Sequence, residues 1–344
     1  MSNFGTMPDG TPVERVTITG GGLTARVLSY GAVLQDLRLA GHAAPLVLGF
    51  DHFAPYLTHS PYFGATAGRC ANRIRDGHLE LDGQHYQLDR NFLGKHTLHV
   101  GARSMGKRVW RVEDRAKDSV LLSIRLEDGE MGFPGALAAR VQFALKPGGV
   151  FEVLMQAETH APTLCNLAHH SYFNLGGHSI AGHLLRIDAD QYLPVDAEMI
   201  PTGEERSVAG TRFDFRTLRP VAQAAPLDHN FCLSRGREAL RAVAWLKNPD
   251  SGVQMELRTT EPGLQVYDGS RIDIALPGLT GQPMHGFAGV ALEPQIWPDA
   301  NHHPAFAQAV LRPGESYRQL TQYIFSAIHL FEGMKMSGFN GFQQ

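Results

Sequence analysis

The chain has 344 residues, with 31 lysines and arginines against 34 aspartates and glutamates, so its formal net charge is −3. A chain of this length buries about three quarters of its extended surface on folding and needs no disulfides to hold a core. Its content of 43% hydrophobic and 19% charged residues excludes a largely disordered chain. The near-neutral charge, without a basic tract, argues against nucleic acid or an anionic membrane as a partner.

The N-terminal residues 1–16 lack both the basic segment and the apolar segment of a signal peptide. No stretch approaches the roughly 18 uninterrupted apolar residues that a membrane-spanning helix needs. The three cysteines, Cys70, Cys165 and Cys232, lie far apart and form no CxxC pair. Free thiols are typical of proteins in a reducing compartment. We therefore expect a cytoplasmic protein that does not interact with membranes.

Taken in chain order, the predicted elements are strands. Near the N-terminus, Leu23, Ala25 and Val27 alternate with polar residues. Asp82-Gly83 then separates two alternating runs, which is a strong hairpin signal because glycine accepts a positive φ. Three later segments have apolar residues at every second position: Val120, Leu122, Ile124 and Leu126; Val141, Phe143 and Leu145; and Val253, Met255 and Leu257. Such alternation predicts strands with one face on a core.

Helical periods between the strands are missing, and the best candidate for a short helix is Pro304 to Val310. The sequence therefore predicts an all-β fold, an antiparallel sandwich of wide sheets. No Ser/Gly/Pro-rich linker, charge run or internal repeat divides the chain. We expect residues 1–344 to form a single domain.

Two common kinds of ligand site are rejected. Residues 101–107, GARSMGK, match the start of a phosphate-binding P-loop, but Arg108 stands where a Ser or Thr would hold magnesium. The residues that follow alternate like a strand instead of opening a helix, so no helix N-terminus binds phosphate. There are 17 histidines, but pairs such as His96 and His99 point to opposite faces of a strand. We expect no metal site.

Two segments carry polar groups that suggest chemistry. In CNLAHHSYFNLGG, residues 165–177, His170 interrupts an apolar and aromatic strand, where a hydrogen-bonded core histidine is the ordinary alternative to a catalyst. In GVALEPQ, Glu293 ends an apolar run. A buried carboxylate is costly unless it has a partner, and a strand-end ion pair is the ordinary alternative.

Weaker candidates occupy three further segments. GRCANRI has Arg69, Asn72 and Arg73 close to a glycine, where solvated surface residues are the alternative. His99 ends a strand before Gly101 and is equally compatible with a surface or core histidine. Asp228 precedes an apolar strand, where an Asx-type turn is the ordinary explanation.

Together, and in this order, these segments resemble the aldose 1-epimerase (galactose mutarotase) family. The matching stretches run from about residue 30 to 317, nearly the whole chain, and are YGAVLQDL, GRCANRI, HTLHVG, KRVW, NLAHHSYFNL, LDHNF, EPGLQVYDG, LEPQIWPDANHHP and LRPGESY. Each motif is moderately specific by itself. Their joint order and spacing make coincidence improbable.

The resemblance implies a large antiparallel β-sandwich of the galactose mutarotase type. It also implies that the protein interconverts the α and β anomers of a free aldose, such as glucose, galactose or the pentose xylose, without metal, nucleotide or other cofactor. The site residues that it implies are the general acid His170, the general base Glu293, the second histidine His99, and the sugar-contacting Arg73 and Asp228, with Asn72 as a helper. We expect a monomer or weak dimer.

This chemistry opens a hemiacetal and closes it on the other face of C1, so the ring oxygen must gain a proton and the anomeric hydroxyl must lose one. An imidazole can give and regain a proton at cytosolic pH because its usual pKa is near 6.5. A nearby imidazolium favours an ionised carboxylate, and we therefore expect Glu293 to be ionised. Tyr172, Phe173 and Trp297 are candidates for an apolar surface against the sugar, or for core packing.

The sequence departs from the family pattern at His169, Val100 and Glu261, and these positions are expected to border the sugar site. Two other functions stay open. The sandwich can serve as a non-catalytic sugar-binding module, because a fold does not determine its function. A mutarotase-like enzyme acting on a sugar phosphate would need additional cations, for which Arg69, Arg75 and Lys107 are the candidates.

Overall fold

The structure is a computed structural model that describes residues 1–101 and 103–327. The strands of these residues are, in chain order, β1 Ser2–Thr6, β2 Pro12–Gly20, β3 Leu23–Leu28, β4 Val33–Leu39, β5 Ala65–Ala67, β6 Arg73–Ile74, β7 His78–Leu81, β8 Gln84–Gln87, β9 Thr97–Leu98, β10 Arg111–Arg115, β11 Ser119–Leu126, β12 Leu137–Lys146, β13 Val150–Thr159, β14 Thr163–Leu164, β15 Ala168–His170, β16 Tyr172–Phe173, β17 Leu184–Ile187, β18 Gln191–Tyr192, β19 Arg206–Ser207, β20 Arg219–Pro220, β21 Asp228–Cys232, β22 Arg241–Lys247, β23 Val253–Thr259, β24 Gly263–Tyr267, β25 Val290–Gln295, β26 Val310–Leu311 and β27 Tyr317–Ala327. The helices are α1, Ala54–Thr58, and the 3₁₀ helices Arg75–Gly77, Met105–Lys107, Glu130–Gly132, Val221–Ala224 and Ala300–His302.

Most strands of the described chain belong to three sheets. The largest has nine strands in the order β10-β11-β12-β13-β27-β23-β22-β17-β20, the next has six in the order β16-β25-β24-β21-β18-β19, and the third has four in the order β1-β2-β3-β4. Short two-stranded ladders join β14 to β26, β15 to β5, β6 to β9 and β7 to β8. The ladders between these strands are antiparallel. The predicted all-β antiparallel class is confirmed.

The strands with alternating sequence form as predicted. The apolar residues of β11, β12 and β23 that were assigned to one face are all buried. The hairpin between β7 and β8 turns at Asp82 and Gly83, which both have positive φ, 52° and 77°. Positive φ at both turn residues is the geometry that an Asp-Gly pair favours.

One cluster of buried apolar residues joins the three large sheets. It includes Val27 of the four-stranded sheet, Phe143 of the nine-stranded sheet and Leu292 of the six-stranded sheet. At the centre of the cluster, the hydroxyl of Tyr323 in β27 donates to the carbonyl of Leu292 in β25 at 3.2 Å. The nine-stranded sheet therefore packs through one shared core against the other two.

The predicted helix at Pro304 to Val310 is wrong. Residues 304–309 form no helix, and strand β26 begins at Val310. His303 is extended, with φ −126° and ψ 90°, as expected before a proline, whose ring disfavours the helical region for the preceding residue. The amide of Gln308 donates to the carbonyls of Ala300, His303 and Phe306, so a side chain binds the carbonyls of this loop.

In the part of the chain that the structure describes, no helix has the length and the apolar character needed to cross a membrane.

Candidate active site

All six residues that the sequence predicts for the site line a single cavity of about 310 Å³. Its lining consists of Pro61, Tyr62, Asn72, Arg73, Phe92, Leu98, His99, His170, Tyr172, Asp228, Gln265, Tyr267, Arg271 and Glu293. Three of these side chains, Asp228, Gln265 and Glu293, come from neighbouring strands β21, β24 and β25 of the six-stranded sheet. We call this side of the sheet the cavity face.

His170 and Glu293 belong to two different strand ladders and lie close together. His170 ends β15, which pairs with β5, and Glu293 lies in β25, opposite Gln265 of β24. The imidazole Nε2 of His170 lies 3.5 Å from the Oε2 of Glu293. Within the described residues, neither this Oε2 nor the Nδ1 of His170 has a hydrogen-bond partner. Both groups are thus buried and directed to the cavity with capacity left to bind a ligand.

Burial disfavours the charged form of both members of this pair. It lowers the pKa of His170 to about 4 and raises the pKa of Glu293 well above its usual value, because each charged form loses its hydration. The negative charge of Asp228 also raises the pKa of Glu293, whereas the guanidinium of Arg73 lowers it. The ionised Glu293 that the sequence predicts is therefore opposed by burial and by Asp228 and favoured by Arg73.

His99 lies beside His170, with its ring centroid 5.2 Å from the centroid of the His170 ring. Its Nδ1 accepts a hydrogen bond from the backbone N–H of Asn72 at 3.2 Å. A neutral ring then has its proton on Nε2. Burial, together with the positive charge of His170 in its protonated form, lowers the pKa of His99 well below its usual value. His99 is therefore a neutral hydrogen-bond donor.

Arg73 and Asp228 form an ion pair at the side of the cavity. Nη2 of Arg73 donates to Oδ2 of Asp228 at 2.9 Å, and Nε2 of Gln265 donates to Oδ1 of the same carboxylate at 2.6 Å. The guanidinium of Arg73 also lies 4.9 Å from the ring centroid of Phe92. Asn72, which has φ +68°, fixes the start of this segment, because its Oδ1 accepts the backbone N–H of Arg73. The pair offers a donor and an acceptor to hydroxyl groups.

Aromatic rings enclose the two histidines. The ring centroid of Tyr62 lies 4.7 Å from that of His99 and 5.9 Å from that of His170. Tyr172 lies in β16, with its ring centroid 5.1 Å from that of His170. These rings replace water around the imidazoles, which is why burial dominates the pKa shifts of both histidines.

Asn166 connects the segments that carry the site residues. Its side chain accepts the backbone N–H of Ile296 at 2.9 Å and donates to the carbonyl of the same residue at 3.2 Å. Its main chain exchanges hydrogen bonds with Arg69 and Ala71. The segments just before His170, just before Arg73 and just after the strand of Glu293 are therefore held at one buried residue.

The cations proposed for a phosphate site are separated. The guanidinium of Arg69 is fully buried and donates to the carbonyls of Glu127, Pro134 and Gly135. That of Arg75 donates to the carbonyl of Pro201. Lys107 alone of the three lies beside the cavity, with Nζ 5.2 Å from the ring centroid of Tyr62. Asn72, rather than Arg69, is the polar neighbour of Arg73 in the cavity.

The three departures from the family pattern do not border the cavity among its described lining residues. His169 packs against Phe143 and Phe151 in the core and bonds to the hydroxyl of Ser171 at 2.8 Å. Glu261 is fully buried in an ion pair with Arg237, and Val100 is a core residue. The expectation for His169 fails because residue 169 alternates to the face opposite His170, and Glu261 and Val100 are buried away from the cavity.

Of the three aromatic candidates, Tyr172 lines the cavity. Phe173 stacks near Tyr323 in the core, and the indole N–H of Trp297 donates to the carbonyl of Pro262 at 2.9 Å. Sequence reasoning missed Tyr62, Phe92, Gln265 and Tyr267. Gln265 and Tyr267 alternate with the apolar Leu264 and Val266, a polar face that the sequence could have revealed. Tyr62 and Phe92 lie in loops and carry no such signal.

Within residues 1–101 and 103–327, no group of three or more His, Cys, Asp or Glu side chains is arranged to hold a metal ion. The chemistry that the cavity supports with its own residues is proton transfer. The imidazole, the carboxyl group and the ion pair in one cavity are groups that can take part in acid-base chemistry on a small polar molecule.

The profile of the aldose 1-epimerase family matches residues 14–324. The chain belongs to this family, and it is an isomerase of the aldose 1-epimerase class.

Several known proteins are similar along nearly their whole length. The galactose mutarotase of Sus scrofa is 39% identical over 340 residues, with 94% of this chain and 98% of that protein covered. The aldose 1-epimerase of Escherichia coli is 33% identical, with 93% of this chain and 97% of that protein covered. A crystal structure of a GalM/aldose epimerase homologue from C. elegans is 30% identical, with a TM-score of 0.86 over 92% of this chain and 99% of that one.

Proposed function

We propose that this protein interconverts the α and β anomers of a free aldose, with His170 and Glu293 exchanging protons with the sugar. The observation that carries the proposal is the 3.5 Å separation of His170 Nε2 and Glu293 Oε2 in one cavity. The ring oxygen and the anomeric hydroxyl of an aldose are both attached to C1. Two groups this close together can therefore contact both oxygens of one bound sugar.

The pair starts with one proton between its two members. A neutral imidazole with a neutral carboxyl group has the same proton count as an imidazolium with a carboxylate. The positive charge of Arg73 favours the carboxylate, and sugar hydroxyls that donate to it do the same. Transfer of the proton from Glu293 to His170 therefore prepares a general acid and a general base without taking a proton from water.

Ring opening and closure then use the pair in opposite directions. His170 protonates the ring oxygen while Glu293 removes the proton of the C1 hydroxyl, and the C1–O5 bond breaks to give the open aldehyde. Rotation about C1–C2 presents the other face of the carbonyl. As O5 attacks that face, Glu293 returns its proton to the carbonyl oxygen and His170 recovers its own, so the pair ends in its starting state.

The other lining residues bind the sugar in this scheme. His99, a neutral donor through Nε2, stabilises negative charge at an oxygen of the reacting centre. Arg73 and Asp228 anchor hydroxyls remote from C1 and so hold the sugar while C1 turns. Asn72 supports Arg73 through its backbone. Tyr62, Phe92 and Tyr172 present apolar rings to the C–H groups of the sugar.

Polarimetry tests the proposal. Freshly dissolved α-glucose, α-galactose and α-xylose should change rotation faster with the protein than without it, and the ranking of the three sugars identifies the preferred aldose. No acceleration with any of them, at sugar concentrations that saturate binding, would refute the proposal. Saturable binding without acceleration would identify a non-catalytic sugar-binding module instead.

The sugar-phosphate alternative receives less support, because Arg69 and Arg75 bind main-chain carbonyls away from the cavity. A comparison of glucose with glucose 6-phosphate in the same assay tests it. A higher kcat/KM for the phosphorylated sugar would favour that alternative.

We also propose that the chain acts as one domain in the cytoplasm, as a monomer or weak dimer. The shared core that joins the three sheets, from Val16 to Phe325, supports the single domain. The free thiols of Cys70, Cys165 and Cys232 support a reducing compartment. Size-exclusion chromatography with light scattering tests the assembly.

A further inference from the structure

The ion pair of Arg73 and Asp228 is built from residues at the ends of strands. Arg73 begins β6, a strand of only two residues, and Asp228 begins β21. Few ladder hydrogen bonds hold a strand at its end, where it frays most easily. The 2.9 Å contact between the two side chains therefore needs support from outside the ladders.

Asp299 supplies such support beside Arg73. Its side chain is fully buried, and Oδ1 accepts the backbone N–H of Arg75 at 2.8 Å. The same oxygen accepts a hydrogen bond from Nδ1 of His302 at 2.7 Å. Burial by itself raises the pKa of Asp299, but hydrogen bonds from His302 and the Arg75 amide, with the imidazole of His303 3.5 Å from Oδ2, bring it below its usual value. A carboxylate thus holds the backbone two residues after Arg73.

Asp268 holds the backbone beside Asp228, as Asp299 does beside Arg73. It is fully buried, and its Oδ2 accepts the backbone N–H of Leu227 at 2.8 Å, while its own N–H donates to the carbonyl of Leu227 at 3.0 Å. Oδ1 accepts the N–H of Ser270 at 3.0 Å and so fixes the carboxylate. The residue immediately before Asp228 is therefore held through both of its backbone polar groups.

We propose that Asp268 and Asp299 are positioning residues for the sugar-anchoring pair, each holding the backbone beside one partner of the Arg73–Asp228 ion pair. This inference rests on the proposed function, because it assigns the pair the task of anchoring an aldose. Neither aspartate lines the cavity among its described lining residues, so each acts through the pair. They determine the affinity for the aldose, while His170 and Glu293 determine the rate of proton transfer.

The chemistry of the two contacts explains why aspartate is used. A buried backbone N–H without an acceptor destabilises the folded state, and an ionised carboxylate is a stronger acceptor than a neutral group. Each carboxylate uses two acceptor contacts, which fixes its orientation as well as its distance. An asparagine keeps one oxygen and supplies part of this support, whereas an alanine supplies none.

The test is a comparison of KM and kcat for Asp268→Ala, Asp299→Ala, Asp268→Asn and Asp299→Asn by polarimetry. Misplacing a binding group by a fraction of an ångström has a large effect, so we expect KM to rise about tenfold in the alanine variants and less in the asparagine variants. We expect kcat to stay within about threefold of the unmodified protein, since the acid-base pair is intact. Unchanged KM in folded alanine variants, or a loss confined to kcat, would overturn the proposal.

Asp36→Asn is the matched control. Asp36 is another buried aspartate, but it pairs with Arg38 at 2.7 Å and with Arg26 at 3.6 Å in the four-stranded sheet. Its substitution should lower the melting temperature without changing KM. A rise in KM as large as that of Asp299→Asn would indicate a general effect of lost stability and would contradict the proposed role.

A double-mutant cycle separates positioning from a merely structural role. In an Arg73→Ala background, Asp299→Ala should add little to KM, because the group that it positions is missing. If the double variant raises KM by the product of the two single effects, the proposal is contradicted. Calorimetric titration of galactose in the same variants distinguishes its failure from that of the proposed function. If the unmodified protein binds galactose without catalysing mutarotation, the proposed catalysis is refuted. Weaker binding of galactose by the alanine variants would then still support the positioning role.

Discussion

The nine-stranded sheet and the cavity face of the six-stranded sheet use the same antiparallel pairing, but their side chains follow different patterns. In β12 of the larger sheet, buried and less buried residues alternate from Leu137 to Leu145. In β25 of the smaller sheet, every residue from Val290 to Gln295 is buried, including the ionisable Glu293. The first pattern is what folding favours, because apolar groups face the core and polar groups face water.

The second pattern costs stability, since a polar group buried without a complete set of partners loses its hydration. On the cavity face, the amide groups of Asn230 and Gln295 have no hydrogen-bond partner in the described chain, and neither has Oε2 of Glu293. The molecule thus concentrates stabilising burial in one sheet and chemically available groups in another. Substitutions in the two regions should therefore affect different measurements.

The largest effect is expected on the cavity face. Glu293→Gln and His170→Ala should each lower kcat by about 10²- to 10⁴-fold, because each removes one partner of the proton transfer. The melting temperature of Glu293→Gln should change little, since glutamine has nearly the same size and shape as glutamate. Polarimetry with freshly dissolved α-galactose measures the rates. Rates of both variants close to that of the unmodified protein would contradict the assigned roles.

A substitution in the core of the nine-stranded sheet should lower stability and leave catalysis unchanged. Leu122 in β11 is buried in the shared core, and Leu122→Ala should lower the free energy of unfolding by about 2–5 kcal/mol through lost burial and a cavity. kcat and KM of the folded variant should stay unchanged at a temperature well below its transition. Denaturant unfolding monitored by tryptophan fluorescence gives the stability. A large loss of kcat in a Leu122→Ala variant of normal stability would contradict the division of stability and catalysis between the two sheets.

A smaller effect concerns a buried histidine outside the cavity. His183, immediately before β17, has a pKa lowered to about 4 by burial, while its Nε2 accepts the N–H of Leu175. Below pH 6.5 the unfolded chain binds a proton at this position and the folded chain does not, so stability falls as the pH falls from 6.5 toward 4. His183→Asn should reduce the loss of stability between pH 7 and pH 5 by roughly 1–2 kcal/mol.

Denaturant unfolding of both proteins at the two pH values measures this difference. An unchanged loss of stability in the variant would show that His183 is not neutral in the folded protein.

The smallest effect is expected in the pH dependence of catalysis. The pKa of His170 is lowered to about 4, so between pH 5 and pH 8 its imidazole takes up no further proton. kcat/KM should change less than about twofold over this range and should fall only as the pH drops through about 4, when a second proton removes the base. The spontaneous rate at each pH is subtracted. A decrease centred near pH 6.5 would indicate an imidazole with an ordinary pKa.

The parts of the fold that could be predicted from the sequence are those with a local pattern. Val141, Phe143 and Leu145 are each buried by a local alternation that a single strand displays, and Asp82-Gly83 specifies its own turn. The helix expected at Pro304 failed because a side chain, Gln308, binds the loop carbonyls, and no local pattern encodes such a contact.

The cavity residues that lie in sequence motifs could be predicted. His170 and Glu293 were found because each interrupts an apolar strand and because their segments resemble a family. Their 3.5 Å contact was not predictable from spacing, since it depends on how two ladders meet. Tyr62 and Phe92 come from loops, where side-chain direction follows tertiary packing rather than any local period.

The central claim is that His170 and Glu293 act as one unit that holds one proton. The most direct test is the kcat of the double variant His170→Ala/Glu293→Gln beside those of the two single variants, measured by polarimetry with the preferred sugar. Groups that act together lose their function when either is removed, so the double variant should be about as slow as the slower single variant. A double variant whose loss is the product of the two single losses would show that the two groups work independently and would contradict the claim.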